Sequence, residues 1–264
     1  MSFETVKYEL NESVAIITMN RPAALNALSL QLSRDLRSAV EKAIEDEARA
    51  VVLTGEGRAF CSGGDLREML ENGKQTGRTE ASLEEPLQAL HDLIRLIRET
   101  PIPFVAAVQG VCAGAGTNVA LACDIVFASE NASFNEAFVR IGLSPDCGGS
   151  FFLPRAVGEK LAAELFMTGS TIDAARAERI GMINRIVSAE SLMKETLQMA
   201  KKLALAPTAS IGRIKQMLNA TFSNDLPQQL ALEHKLQIES GKSNDFKEGV
   251  QAFFEKRQPN FTGT

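Results

Sequence analysis

The stretch PIPFVAAVQGVCAGAGTNVALACDIVFAS, residues 101–129, decides how this chain folds. Phe104 to Val108 is a continuous apolar run of strand length, and Asp124 to Ala128 is a second. Runs without a polar face belong to strands covered on both sides, as in a parallel sheet. Between them, GVCAGAGTN at 110–118 places small residues just past the carboxyl end of the first run and opens a helix.

The same construction stands upstream. Ala50 to Thr54 reads as a buried strand and leads into GEGRAFCSGGDL at 55–66. Before it, Leu32, Leu36, Val40 and Ala43 recur at helical spacing, with Arg34, Arg37, Glu41 and Lys42 between them, so a helix is expected over 29–47. Strand, helix and strand in succession favour a parallel sheet with right-handed crossovers. At the start, Val6, Tyr8 and Leu10 alternate with polar residues, a turn falls at Asn11-Glu12, and Val14 to Ile17 is continuous, which predicts a hairpin over 3–19. The polar stretch ENGKQTGRTEAS at 71–82 is expected to be mobile, with a helix following over 84–99.

Beyond residue 157 the pattern turns helical. Helices are expected near 158–168, 173–179, 189–205, 207–221, 226–240 and 243–256, interrupted only by a strand-like run from Met182 to Val187. The expected fold class is therefore α/β, with a core over 1–195 and a C-terminal helical region over 196–264.

Composition narrows the function. The chain has 264 residues, 45% hydrophobic and 23% charged, and a net charge of -5 from 28 Lys+Arg against 33 Asp+Glu. An acidic chain with no long basic run offers no general attraction to nucleic acid or acidic membranes, so neither is expected as a partner. No run of 18 apolar residues occurs, and the opening MSFETVKYELNES lacks the apolar core of a secretory leader, so a cytoplasmic location is expected. Cys61, Cys112, Cys123 and Cys147 show no C-x-x-C spacing, and His91 and His234 are too few for a histidine metal cluster, so no metal is expected. Both histidines read as surface or structural residues.

Chemistry is expected where the two small-residue loops meet. Ligands of open α/β sheets bind beyond the carboxyl ends of the strands, and small residues let main-chain N–H groups approach them. A helix that opens at the second loop adds unpaired N–H groups and the positive end of its dipole. Two such loops side by side can aim two donors at one oxygen, the construction of an oxyanion hole. A dinucleotide site is disfavoured because Gly114-Ala115-Gly116-Thr117-Asn118-Val119 has Val where a third small residue is needed. Neither a phosphate-binding G-x-x-x-x-G-K-[ST] loop nor a G-x-S-x-G elbow occurs.

At these residues the chain resembles the crotonase (enoyl-CoA hydratase/isomerase) superfamily nearly end to end. The motifs are NRPAALNAL, GEGRAFCSGGDLREM, PIPFVAAVQGVCAGAGTNVALACDIVFAS, FNEAFVRIGLSPDCGGSFFLPR and FKEGVQAFFEKRQPNF, in that order. The resemblance implies a spiral of ββα turns with a C-terminal helical trimerisation region, assembling as a homotrimer or a dimer of trimers. It implies an acyl-coenzyme A thioester as ligand, with coenzyme A part of the substrate and no separate cofactor. The oxyanion donors would be the N–H groups of Gly64 and Ala115. Coenzyme A would lie along Ala24, Leu25, Ser62, Gly63, Asp65 and Leu66, with Phe253 and Lys256 reaching the ligand of a neighbouring subunit.

The acid/base residues separate the reactions of the superfamily. Where hydratases are similar to one another in carrying two glutamates, this chain has Asn118 and Phe138. Neither can move a proton as a carboxylate does, which argues against hydration. Glu136 stands two residues from Phe138, and helical spacing would turn it to another face. The remaining carboxylate is Asp146, in Pro145-Asp146-Cys147-Gly148-Gly149. That string resembles the one-carboxylate isomerases: the Δ3,Δ2-enoyl-CoA isomerases of fatty acid metabolism and, more closely, the ring-epoxide isomerase of phenylacetate catabolism. Asp146 is then the expected proton carrier, its pKa raised by burial among Phe138, Leu143, Phe151 and Phe152. Phe138 is expected to line the acyl pocket, while Phe151 and Phe152 suit pocket or core.

Overall fold

A computed structural model describes residues 3–78 and 80–264, which form ten strands in two sheets, and from Ala50 to Asn135 successive strands alternate between the two. The N-terminal hairpin pairs β1 (Val6–Asn11) with β2 (Val14–Met19) in antiparallel register, Asn11 opposite Val14. Helix α1 (Leu30–Glu45) follows, capped by Ser29, whose hydroxyl accepts from Leu32 N–H at 3.1 Å. Next, β3 (Ala50–Gly55) lies parallel to β2. It is followed by β4 (Ala59–Cys61), α2 (Leu66–Thr76) and α3 (Ala81–Glu99).

The pattern then repeats. The strands β5 (Phe104–Val108) and β6 (Val111–Ala113) precede α4 (Ala115–Ala122), and β7 (Ile125–Ser129) and β8 (Ser133–Asn135) precede a 3₁₀ turn over Ala137–Ile141. The first strand of each pair joins one sheet and the second joins another. Helices α5 (Gly149–Val157) and α6 (Glu159–Thr168), the short β9 (Ile172–Asp173), α7 (Ala174–Arg179) and β10 (Arg185–Val187) close the spiral. The larger sheet runs β1-β2-β3-β5-β7-β10 and the smaller β4-β6-β8-β9. This is the spiral of ββα turns. The three-residue strands of the smaller sheet and α5 are absent from the periodicity reading.

Alternate residues of the large sheet enter two cores. Ala15, Ile17, Val51, Leu53, Phe104, Ala106 and Val108 pack with α1 and α3 on one face. Val14, Ile16, Ala50, Val52, Val105, Ala107 and Phe127 meet Leu192, Ala200 and Ala204 of α8 (Leu192–Ala204) on the other. Burial on both faces is why these strands lack alternation. The division expected between 195 and 196 falls inside α8. Helices α9 (Thr208–Ala220), α10 (Leu226–Gly241) and α11 (Asn244–Glu255) complete the chain.

The stretch at 71–82, expected to be mobile, is largely helical. Asp65 caps α2 by accepting from Arg67 and Glu68 N–H, both at 3.2 Å, and Gly77 ends it in the left-handed region at φ 67°. Thr79 lies outside the described residues. Among the described residues, no helix is long and apolar enough to cross a membrane, and no three His, Cys, Asp or Glu are grouped to hold a metal. All four cysteines are buried and free.

Candidate active site

The first of the two small-residue loops is held by the NRPAALNAL segment. Asn26, fully buried with φ 55°, donates from Nδ2 to the carbonyls of Glu56 (3.0 Å) and Ala59 (2.8 Å), and its Oδ1 accepts from Arg21 N–H. This ties the segment to the loop after β3. Ser62 N–H then donates to Leu25 O, Leu28 N–H to Gly63 O, and Asp65 N–H to Leu28 O. The Asp65 carboxylate also pairs with Arg21 at 2.9 Å. These bonds fix the turn at Ser62–Asp65.

Gly63, at φ 97°, lets this turn lie against the second loop: a Cβ there would stand 2.9 Å from Ala113 O and 3.8 Å from Ala115 N. Gly116 is equally close, since its Cβ would fall 2.7 Å from Cys61 Sγ. Among the described residues, neither Gly64 N–H nor Ala115 N–H donates to a protein acceptor. Ala115 is the first residue of α4, so its N–H has no partner within the helix. Two free donors on adjoining loops are thus presented at the edge where the sequence expects an oxyanion hole.

Both residues line a cavity of about 270 Å³. Ser62, Gly63 and Leu66 share its wall, Phe138 and Leu143 close one side, and Leu83, Pro86, Leu87 and Leu90 of α3 close the other. Asp146 is the only carboxylate among the lining residues and Arg140 the only cation. Phe138 lies against the second loop, 3.5 Å from where a Cβ on Gly114 would be. A groove formed by Ala24, Leu25, Ser62, Gly64, Asp65 and Leu66 adjoins the cavity through the residues they share.

Burial raises the pKa of Asp146, with a bond from Cys147 and the charge of nearby His91 acting in the opposite direction. The expected direction therefore appears, although the surroundings differ from those anticipated. Phe151 is half exposed beneath the Arg155 guanidinium, 3.6 Å from its ring centre, and Phe152 packs toward Gly148 and Arg98; neither lines the cavity. His91, read from the sequence as a surface or structural residue, lies close enough to act on Asp146.

Unlike Phe138, Glu136 is not among the residues lining the cavity. It precedes the 3₁₀ turn with φ -112°, so helical spacing does not apply, and it is 1% exposed beside Asn118 and Asp146. Burial above all, with Asp146 adding to it, pushes its pKa up to about 8. Phe253 and Lys256 stand apart from the cavity within one chain. Phe253 is 79% exposed on α11, where it borders a separate cavity between α9, α10 and α11, and Lys256 ends α11 at φ 54°. The apolar wall of α3 was missed as site structure, although Leu83, Leu87 and Leu90 stand at helical spacing.

Such an arrangement defines an α/β enzyme with two free main-chain donors at an apolar cavity that ends in one carboxyl group. The family model described as enoyl-CoA hydratase/isomerase matches residues 9–264. A probable enoyl-CoA hydratase of Rhodobacter capsulatus is 45% identical over 264 residues, covering 100% of both chains. The 1,2-epoxyphenylacetyl-CoA isomerase of Escherichia coli is 38% identical over 261 residues, covering 98% of this chain and 99% of that protein. A crystal structure of a putative enoyl-CoA hydratase from Streptomyces coelicolor superposes with a TM-score of 0.93 at 35% identity, covering 100% of this chain and 96% of the other. The chain belongs to the enoyl-CoA hydratase/isomerase family, within the crotonase superfamily. Its activity is acyl-CoA hydratase/isomerase chemistry.

Proposed function

We propose that this chain is an acyl-CoA isomerase that moves a proton through an enolate held by Gly64 and Ala115. The observation that carries this reading is the single carboxylate, Asp146, among the residues lining the cavity. The thioester oxygen lies between the two N–H groups, which bind it more strongly as it gains negative charge. Asp146 takes a proton from the carbon beside the carbonyl and returns it farther along the acyl chain, so the double bond shifts. Burial of Asp146 strengthens it as a base. The substrate is a 3-enoyl-CoA or, in line with the Escherichia coli relative, a ring-epoxide of phenylacetyl-CoA.

Coenzyme A lies along the groove of Ala24, Leu25, Ser62, Asp65 and Leu66, and Phe253 and Lys256 complete the site of a neighbouring copy. Exposed Phe253 and Phe254 support assembly as a homotrimer or dimer of trimers. A panel of 3-enoyl-CoA thioesters and epoxidised phenylacetyl-CoA, assayed with wild type and Asp146→Asn, tests the reading. No turnover of any panel member by wild type would overturn it.

Hydration is the second reading, favoured by the name of the Rhodobacter capsulatus relative. Crotonyl-CoA hydration at the background rate removes it.

A further inference from the structure

We propose that Glu136, kept as the neutral acid, is a positioning residue for Asp146 and acts on it through the Asn118 side-chain amide. This rests on the isomerase reading and extends it to two residues outside the cavity lining. Asn118 is fully buried, and its Nδ2 stands between two acceptors, the main-chain carbonyl of Asp146 at 2.9 Å and Glu136 Oε2 at 3.4 Å. The first bond fixes which way the amide points, because only the NH₂ side can donate to a carbonyl. The main chain that presents Asp146 is thereby tied to the buried Glu136 carboxyl.

Three features require a proton on Glu136. The residue is 1% exposed, and no cation bonds it among the described residues. An ionised carboxylate without a cation at that depth is costly, so the neutral form is favoured. Second, Glu136 Oε1, Asn118 Oδ1 and Asp146 Oδ1 are all buried acceptors without partners. A proton on Glu136 turns an acceptor into a donor, the kind of group this cluster lacks. Third, a charge on Glu136 would sit beside Asp146, and two neighbouring carboxylates cannot both ionise freely. The remaining titratable groups around the pair are the buried thiols of Cys112 and Cys147, both driven upward and therefore neutral, and His91, whose charge acts on Asp146. Arg140, in the adjoining 3₁₀ turn, is exposed and lies against Gly169.

The neutral acid matters because the reaction develops negative charge. An ionised Glu136 would oppose both the Asp146 carboxylate and the enolate. Raising the pH through the Glu136 ionisation should therefore lower kcat/KM, an alkaline limb near the value of about 8 toward which burial pushes this group.

The test has two arms, one independent of turnover. Infrared difference spectra between wild type and Glu136→Gln, recorded across pH, report directly whether Glu136 carries a proton. The protonated-carboxyl band of Glu136 is expected at neutral pH and lost in alkali. Its absence at neutral pH overturns the proposal, whether or not any thioester is turned over. In the second arm, kcat/KM is followed against pH for the thioester that wild type isomerises. Glu136→Gln, which cannot ionise, should lose the alkaline limb while its neutral-pH kcat falls by less than about tenfold. An unchanged alkaline limb overturns the proposal. Should that variant fail to fold, Asn118→Ser carries the test. Loss of the amide should lower kcat by about tenfold with KM within about twofold, and an unchanged kcat overturns the positioning role.

Discussion

The side-chain amide of Asn118 donates to the main-chain carbonyl of Asp146 at 2.9 Å, joining residues 28 apart in sequence. The bond holds the main chain of Asp146 without engaging its carboxyl, whose Oδ1 is buried and unpartnered. Asp146→Asn keeps this main-chain bond and removes the titratable group. Isomerisation is expected to fall by about a hundredfold or more, the scale of a lost general base. Retention of more than about a tenth of the rate in the folded variant would remove Asp146 from that role. In wild type, kcat/KM should decline as pH falls through the Asp146 pKa, which burial holds above the ordinary 3.8. Because His91 acts downward on that pKa, His91→Gln should move the acid limb to higher pH.

Ala115 offers a way to delete one of the two proposed oxyanion donors without disturbing a protein hydrogen bond. It is the first residue of α4, where proline is tolerated because its missing N–H has no partner within the helix. Ala115→Pro should lower kcat by about a hundredfold to a thousandfold, as loss of one such donor does elsewhere. Circular dichroism should remain near wild type. An active Ala115→Pro enzyme would show that the N–H is not used.

How much of this was legible in the sequence depends on how each residue earns its place. Val51 to Leu53 and Phe104 to Val108 are buried on both sides of the sheet, and continuous apolar runs record that directly. The meeting of Gly63 with the 113–115 loop was legible as small residues beyond two strand ends. Helix α2 was not, because its apolar residues Leu66, Met69 and Leu70 span a single turn and the rest, Glu71 to Thr76, is polar; its Asp65 cap and Gly77 terminus mark its ends. The strands Ala59–Cys61, Val111–Ala113 and Ser133–Asn135 are too short to display a period. Glu136 precedes the 3₁₀ turn and belongs to no helix, so helical spacing carries no information on its burial. Its link to Asp146 is tertiary, made through Asn118.

Lys215 anchors the C-terminal helices. Its ammonium, 5% exposed, donates to the carbonyls of Ile97 (2.7 Å) and Ile102 (3.0 Å) and pairs with Asp124 at 3.0 Å. Asp124 is also bound by Arg98 at 2.9 Å, so one charge pair survives the loss of Lys215. Lys215→Met should nevertheless destabilise the fold by about 3 kcal/mol, since it strips a partly buried carboxylate and two carbonyls of a donor. Urea unfolding checks this, and a change below about 1 kcal/mol would contradict it.

The Glu136 carboxyl also predicts a pH-dependent stability difference. Its folded pKa of about 8 exceeds the ordinary 4.5, so the folded state binds the proton more tightly than the unfolded state. The stability from that proton is complete below about 4.5, declines as pH rises, and is gone above about 8. Glu136→Gln lacks this dependence. Its Tm should therefore rise relative to wild type between about pH 5 and about pH 9, while a difference that stays constant with pH would mean an ordinary carboxyl.

Phe253 and Phe254 pack edge to face on α11 with ring centres 5.7 Å apart, yet remain 79% and 78% exposed. Phe246 on the same helix is 53% exposed, and Leu218 and Phe222 at the end of α9 are 62% and 66% exposed. Apolar area of this kind, concentrated on neighbouring helices, is characteristic of a subunit interface. If the neighbouring copy both covers this face and uses Phe253 to complete its site, replacing Phe253 and Phe254 together by Ser should reduce the mass seen by light scattering to that of a monomer and raise KM for the thioester. If Lys256 faces the anionic ligand of that copy, replacing it by Ala should instead raise KM with the assembled mass unchanged, since the apolar contact stays in place. A double Phe variant that stays assembled would place the interface elsewhere on the chain.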